Sequence, residues 1–211
     1  MKRIRIHFYG LVYYYLFFFL LFLGFGTISL ILVNSYLNFL LPILFIVLVL
    51  FSFILGVYEY NRISYMHTSL IINRKSFYYS SVIFGLINIL ISLGMFIGYA
   101  ILLNELKQVE INFLYNIYFY LIFVSFTSFA YIIGNFYGLT FIKSKITNIL
   151  IPLALVFLYI YFDVKITDVI AFTSKILLIK IDYLLFIGVG LIIISIIVLK
   201  INHIIFMTRR N

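Results

Sequence analysis

The chain has 211 residues, of which 66% are hydrophobic and only 10% are charged. Soluble domains carry about 45–50% apolar and about 25% charged residues, so this composition excludes a soluble enzyme. The net charge of +9 would suggest nucleic acid in a soluble protein, but in a membrane protein basic residues also sort by membrane side. The chain has no cysteine, which excludes disulfides, thiolate metal sites and a cysteine nucleophile.

A short basic segment, residues 1–8, precedes the first apolar run. It contains Lys2, Arg3 and Arg5. The apolar run covers residues 8–33, longer than the ~7–15 residues of a signal-peptide core, and no small-residue cleavage site follows it. We therefore predict a retained membrane helix.

Five further apolar runs follow, and each can cross the hydrocarbon layer, for which a helix needs about 20 residues. They are residues 37–58, 80–103, 113–142, 146–162 and 183–199, the fifth of the six spans being the shortest. The sequence predicts an all-α, multi-pass membrane protein with six transmembrane helices. Residues 1–211 form one domain in this prediction, because the chain shows neither a linker nor an internal repeat.

Lysine and arginine divide unevenly over the two sides of this six-span arrangement. With both termini in the cytoplasm, the inner residues are Lys2, Arg3, Arg5, Arg62, Arg74, Lys75, Lys143, Lys145, Lys200, Arg209 and Arg210. The outer residues are Lys107, Lys165, Lys175 and Lys180. Basic residues favour the cytoplasmic side, so this orientation in the cell membrane is predicted. The positive charge then reflects topology, and nucleic acid is not expected as a partner.

The six spans as drawn contain no Asp, Glu, Lys, Arg or His. Ionisable side chains at membrane depth commonly mark ion sites, proton relays or catalytic groups. The chain also lacks the G-x-x-x-x-G-K-[ST] loop that binds nucleotide phosphates. We therefore predict that the chain is not an enzyme and holds neither a metal nor a cofactor of its own.

The long inner connection, residues 59–79, is the most distinctive polar segment. Ser64 could cap a short helix that reaches Ile72. Two interpretations are open: a charged loop that fixes orientation and contacts lipid head groups, or a helix that docks a cytoplasmic partner. The docking interpretation involves Ser64, Tyr65, Met66, His67, Ser69, Leu70, Ile71, Ile72, Arg74 and Lys75.

Residues Leu70 to Tyr78, Leu-Ile-Ile-Asn-Arg-Lys-Ser-Phe-Tyr, resemble the loop of ABC-2-type transporter permeases. In that family a short amphipathic segment ends in a Ser-Arg-Lys-like turn and leads into the third of six membrane helices. Here Asn73 stands in the place of the frequent serine. Ser80 and Ser81 occupy the region where several members carry a lysine.

The resemblance implies a type V exporter-like permease that acts with a second permease chain and a separate cytoplasmic ATPase subunit. ATP would be bound by that ATPase. The segment of residues 64–75 would be the coupling helix that contacts it, and residues 1–8 would form an interfacial elbow with Lys2, Arg3 and Arg5.

The outer connection, residues 163–182, is too polar to cross the membrane yet rich in apolar side chains. In the family a short re-entrant segment before the last span closes an outer gate. The corresponding residues would be Ile166, Val169, Ile170, Phe172 and Ile176. An interfacial helix without a gating role is the alternative.

Two G-x-x-x-G pairs, Gly94 with Gly98 and Gly134 with Gly138, predict close helix packing. Polar side chains of the third and fourth spans could line a path for an amphipathic substrate, or they could form hydrogen bonds between helices. They are Asn88, Ser92, Ser125, Thr127, Ser128 and Asn135.

These features favour the membrane-spanning permease subunit of an ATP-driven exporter. The substrate class would be an amphipathic peptide, as in the phenol-soluble modulin systems, or a lipid-like or hydrophobic compound. The alternative is a six-helix membrane protein that does not transport, such as a toxin or bacteriocin immunity factor.

Overall fold

A computed structural model describes residues 34–59, 74–107, 117–140 and 181–208, and in addition the helical residues Leu16, Phe19, Leu20, Leu23 and Gly24. The four long segments form helices α1 (Asn34–Tyr58), α2 (Arg74–Lys107), α3 (Ile117–Thr140) and α4 (Ile181–Thr208). They correspond to the second, third, fourth and sixth predicted spans. The described part of the chain is therefore all-α, as predicted.

Three of these helices contain stretches long and apolar enough to cross a membrane: Lys75–Leu102, Tyr120–Thr140 and Phe186–Thr208. A shorter apolar stretch, Leu44–Tyr58, lies in α1. An α-helix pairs its own backbone groups, which a hydrocarbon environment requires. These properties indicate a membrane protein. The first predicted span is described at five residues only, and the fifth, 146–162, lies outside the described residues.

Two helices extend beyond the predicted spans. α2 begins at Arg74 rather than at Ser80, and α4 continues past Leu199 to Thr208. α4 therefore includes Lys200 and His203, which lie beyond the end of the predicted span at Leu199. The reason is that an apolar run is read as ending at its first charged residue. The helix itself continues, because a long lysine side chain can carry its charge to the membrane surface.

α1 and α3 run side by side in the same direction. The rings of Phe45 and Phe123 are 5.5 Å apart near the start of the pair. Near its end, Gly138 lies against the backbone of Val57. Contacts therefore advance along both helices together, which defines a parallel pair. α3 makes its other extensive contact with α4.

α4 also runs parallel to α3. Its Gly188 lies close to Ile122 and Ser125 near the start of α3, and Asn202 bonds to Ile132 farther along α3.

α2 runs in the opposite direction to the other three helices and contacts all of them. Its Asn88 lies beside Ser52 of α1, whereas Phe96 lies beside the earlier Phe45. As a result α2 begins at the end of the bundle where the other three helices finish. We call this the basic end, because it carries Arg74, Lys75 and Lys200.

Candidate functional site

Glycines bring the backbones of α1 and α3 into direct contact. A Cβ atom at Gly138 would lie 2.7 Å from the backbone oxygen of Val57, and at Gly134 or Gly56 the overlap with the facing backbone would be larger. Real Cβ atoms essentially never approach within 3.0 Å of such atoms, so glycine is required for this spacing. The α1–α3 contact is thus fixed by backbone against backbone.

The two predicted glycine pairs are placed differently. Gly134 and Gly138 face α1, but Gly94 and Gly98 are exposed, and a Cβ atom there would meet no described atom within 4 Å. The partner glycine on α1, Gly56, was not singled out from the sequence. A signal for it was present, since Ser52 precedes it by four residues and small residues at this spacing mark close helix contacts.

Glu59 is buried at the basic end, where its side chain is 0% exposed. The hydroxyl of Tyr131 on α3 lies 3.3 Å from Oε2 of Glu59 and 3.1 Å from the backbone oxygen of Ser81 on α2. Glu59 directly follows α1, which ends at Tyr58 as the predicted span does. Because α2 and α3 cover the last turn of α1, this first residue of the predicted inner connection lies between helices. Tyr131 joins three helices at this point.

The first turns of α2 also pack on the last turns of α4. Tyr78 donates a hydrogen bond of 2.9 Å from its hydroxyl to the backbone oxygen of Leu199, and its ring centroid lies 4.7 Å from that of His203. Phe77 packs against Phe206 at 5.5 Å. The start of α2 is therefore held by α4 as well as by α3.

Of the residues predicted for contact with an ATPase partner, two lie in described helices. Arg74 begins α2, and Lys75 follows it with an exposed side chain. The remaining residues, 64–72, lie outside the described part of the chain. So do the predicted elbow residues Lys2, Arg3 and Arg5, and the predicted gate residues Ile166, Val169, Ile170, Phe172 and Ile176.

The predicted path residues lie mainly inside the bundle. Asn88, Ser92, Ser125, Thr127 and Asn135 are buried. Ser128 is half-buried.

Three of these path residues make hydrogen bonds within or between helices. Asn88 donates from Nδ2 to Oγ of Ser52 across 3.4 Å, which joins α2 to α1. Ser125 and Thr127 donate to backbone oxygens one turn earlier, at 2.6 Å and 2.8 Å. Of these contacts, only that of Asn88 fits the second interpretation, hydrogen bonds between helices. The bonds of Ser125 and Thr127 stay within α3, and a path-lining role stays a prediction.

Among the described side chains of α4, the fully buried ones are Gly188, Ser195 and Asn202, which recur at intervals of seven residues and mark the edge that faces the bundle. Asn202 donates from Nδ2 to the backbone oxygen of Ile132 at 3.1 Å. Large apolar side chains cover most of the remaining circumference and are exposed: Tyr183, Phe186, Ile187, Val189, Ile192, Ile193, Ile194, Ile196, Ile197, Ile201 and Ile204. This edge was not identified from the sequence, although three small or polar residues recur in an isoleucine-rich helix.

Comparison of the chain with protein-family models, curated proteins and solved structures gives no match. The class of the protein is therefore read from its own residues, which indicate a membrane protein. At the basic end its described helices are joined through the buried Glu59 and the hydroxyls of Tyr78 and Tyr131.

Proposed function

We propose that the chain is the membrane-spanning permease subunit of an ATP-driven ABC exporter. It has six transmembrane helices in the cell membrane, with both termini in the cytoplasm. A cytoplasmic ATPase subunit binds and hydrolyses ATP, and a second permease chain completes the path. The basic end of the bundle faces the cytoplasm and receives the ATPase.

One observation carries this proposal: α2 begins at Arg74, within the last residues of the predicted coupling segment 64–75, and is continuous for 34 residues. A helix of that length is about 50 Å long, enough to reach from one membrane surface to the other. Its first turns are fastened to α4 by Tyr78 and to α3 by Tyr131. A displacement applied at Arg74 would therefore move α2 and pull on two further helices.

The helix directions support the six-span topology. Because α3 and α4 are parallel, Thr140 and Ile181 lie at opposite ends of the bundle, and the chain between them has to pass from one end to the other. A fifth span at residues 146–162 meets this requirement. The predicted distribution of basic residues then places the basic end in the cytoplasm.

The nature of the buried polar groups supports an amphipathic or lipid-like substrate. In the described helices these groups are hydroxyls, carboxamides and the single carboxyl group of Glu59. Such an interior offers hydrogen bonds without a row of fixed charges. The same hydrogen-bonded interior suits a static bundle, and a non-transporting immunity factor is therefore the second candidate.

Co-purification tests the proposal. The tagged chain, extracted in mild detergent, should bring with it a protein that carries a phosphate-binding G-x-x-x-x-G-K-[ST] loop and hydrolyses ATP. Leu70→Asp combined with Ile71→Asp should abolish this association, because charges replace the apolar residues of the coupling segment. Ile111→Asp, in the predicted outer connection, is the matched control and should leave the complex intact.

Two results would contradict the proposal. If the ATPase remains bound to the Leu70/Ile71 double variant, the coupling segment has been assigned wrongly. If the unmodified chain brings no ATPase under conditions in which it stays folded, the non-transporting candidate is favoured.

A further inference from the structure

The first turns of α2 and the last turns of α4 border a groove on the outside of the bundle, at its basic end. The floor of this groove is Tyr78, whose hydroxyl donates a 2.9 Å hydrogen bond to the backbone oxygen of Leu199 and whose ring lies 4.7 Å from that of His203. The residues that follow the bonded pair, Tyr79 on α2 and Lys200 on α4, are both exposed. A phenol and an ammonium group therefore lie at the same level of two neighbouring helices.

The antiparallel arrangement of α2 and α4 puts these two side chains on the same side of the helix pair. Each residue of an α-helix is turned by about 100° from the one before it, with the same hand in every helix. Because the two helices run in opposite directions, one step beyond a facing pair moves both side chains to the same side. The buried Phe77 and Asn202 lie on the other side, where Asn202 bonds to Ile132 of α3. Tyr79 and Lys200 therefore face away from the bundle.

Farther from the basic end the walls of the groove are apolar. The exposed side chains that continue its two lips are Ile83 and Leu86 on α2 and Ile193 and Ile196 on α4. The walls change from apolar to polar at Tyr79 and Lys200, directly beside the ends of the predicted spans at Ser80 and Leu199. Tyrosine and lysine at such a boundary lie at the level of the lipid head groups.

We propose that this groove binds a phospholipid whose head group carries a net negative charge. The phosphate oxygens accept hydrogen bonds from the ammonium group of Lys200 and the hydroxyl of Tyr79, and an acyl chain lies along the apolar walls. Basic pockets between membrane helices bind anionic head groups in this way. The site does not rest on the proposed transport function, because it requires only that the bundle lies in a membrane.

Charge complementarity decides between the two common classes of phospholipid. A zwitterionic head group brings an ammonium group of its own, which Lys200 repels, whereas an anionic head group brings only the attractive charge. Each basic side chain near an anionic membrane surface raises the affinity by about fivefold. The groove should therefore select the anionic lipid from a mixed bilayer.

A lipid held by both lips of the groove links the start of α2 to the end of α4. This link acts beside the hydrogen bond from Tyr78 to Leu199. If the proposed function holds, the lipid composition of the membrane then affects how firmly the first turns of α2 are held, and these turns receive the displacement from the ATPase.

The chain contains no tryptophan, so a single introduced tryptophan can report on the groove. Ile196→Trp places this reporter in the groove. Ile197→Trp is the matched control, since it lies at the same depth but is turned to the side of α4 away from α2. Both isoleucines are largely exposed, at 61% and 54%, so the larger side chain fits without repacking.

Fluorescence quenching measures which lipid contacts the reporter. Each variant is reconstituted in phosphatidylcholine vesicles that contain the same small fraction of either brominated phosphatidylglycerol or brominated phosphatidylcholine. The anionic lipid should quench Ile196→Trp more strongly, whereas the two lipids should quench Ile197→Trp equally. Adding Lys200→Gln should lower the preference at Ile196→Trp by about fivefold, and Lys200→Arg should keep it because the charge remains. Lys107→Gln, at the other end of α2, should leave the preference unchanged.

Three results would overturn the proposal. Equal quenching of Ile196→Trp by both lipids would show that the groove does not select charge, and an equal preference at Ile197→Trp would indicate only a general attraction to the basic end. Quenching of Ile196→Trp by neither lipid would show that protein covers the groove.

Native mass spectrometry provides the same comparison without tryptophan variants. The unmodified chain, released from mixed micelles, should retain phosphatidylglycerol in preference to phosphatidylcholine, and Lys200→Gln should lose this preference. An unmodified chain that retains both lipids equally would also overturn the proposal. None of these measurements requires an ATPase, so failure of the transport proposal would be recognised separately.

Discussion

Alanine substitution at the two glycine pairs should have opposite effects. At Gly134 a Cβ atom would overlap the backbone of α1, and at Gly138 it would lie 2.7 Å from a backbone oxygen, so α1 and α3 would have to separate. At Gly94 the space is open. Replacing glycine by alanine inside a helix stabilises it by about 0.5–1 kcal/mol, and this gain is common to all sites.

Comparison of matched sites isolates the packing cost. Overpacking typically costs about 1–3 kcal/mol, so Gly134→Ala should be less stable than Gly94→Ala by about that amount. The free energy of unfolding, measured by denaturant titration in detergent micelles, gives the difference. Gly94→Ala should equal or exceed the unmodified chain. Equal stability of the two variants would refute the argument, because it would mean that α1 and α3 do not meet through their backbones.

Two further predictions concern the contacts of α4. Tyr78→Phe removes the hydrogen bond to α4 and should lower the free energy of unfolding by roughly 0.6 kcal/mol, the average for such bonds between membrane helices. The control Tyr79→Phe changes an exposed side chain and should leave the free energy of unfolding unchanged. Because the chain has no cysteine, the Ser125→Cys/Gly188→Cys double variant should form a disulfide on mild oxidation, visible as faster migration on non-reducing gels. The control, Ser125→Cys/Gly190→Cys, should form none, because a Cβ atom at Gly190 would meet no described atom within 4 Å. The reverse result would contradict the parallel arrangement of α3 and α4.

The helices themselves could be predicted because apolar runs of this length have few other stable forms in a membrane. Their ends could not be predicted as well. Hydropathy does not distinguish a polar residue that ends a helix from one that continues it. Lys200 and Asn202 were assigned to the region after a span, yet both lie within α4.

The candidate site was only partly predictable for a different reason. A G-x-x-x-G pattern shows that a helix can be approached closely, but not which neighbour approaches it, so Gly94 and Gly134 look equivalent in the sequence. The burial of Glu59 depends on α2 and α3 covering the last turn of α1. That coverage is set by the directions of three helices, which no single segment encodes.

The narrow edge of α4 has a consequence for how its sequence can change. Most of its described positions present apolar side chains outward, where one large apolar residue can replace another without disturbing a contact with the bundle. Gly188, Ser195 and Asn202 cannot be exchanged in this way. A complete substitution scan of this 28-residue helix should therefore show its lowest tolerance of large side chains at these three positions, which are seven residues apart.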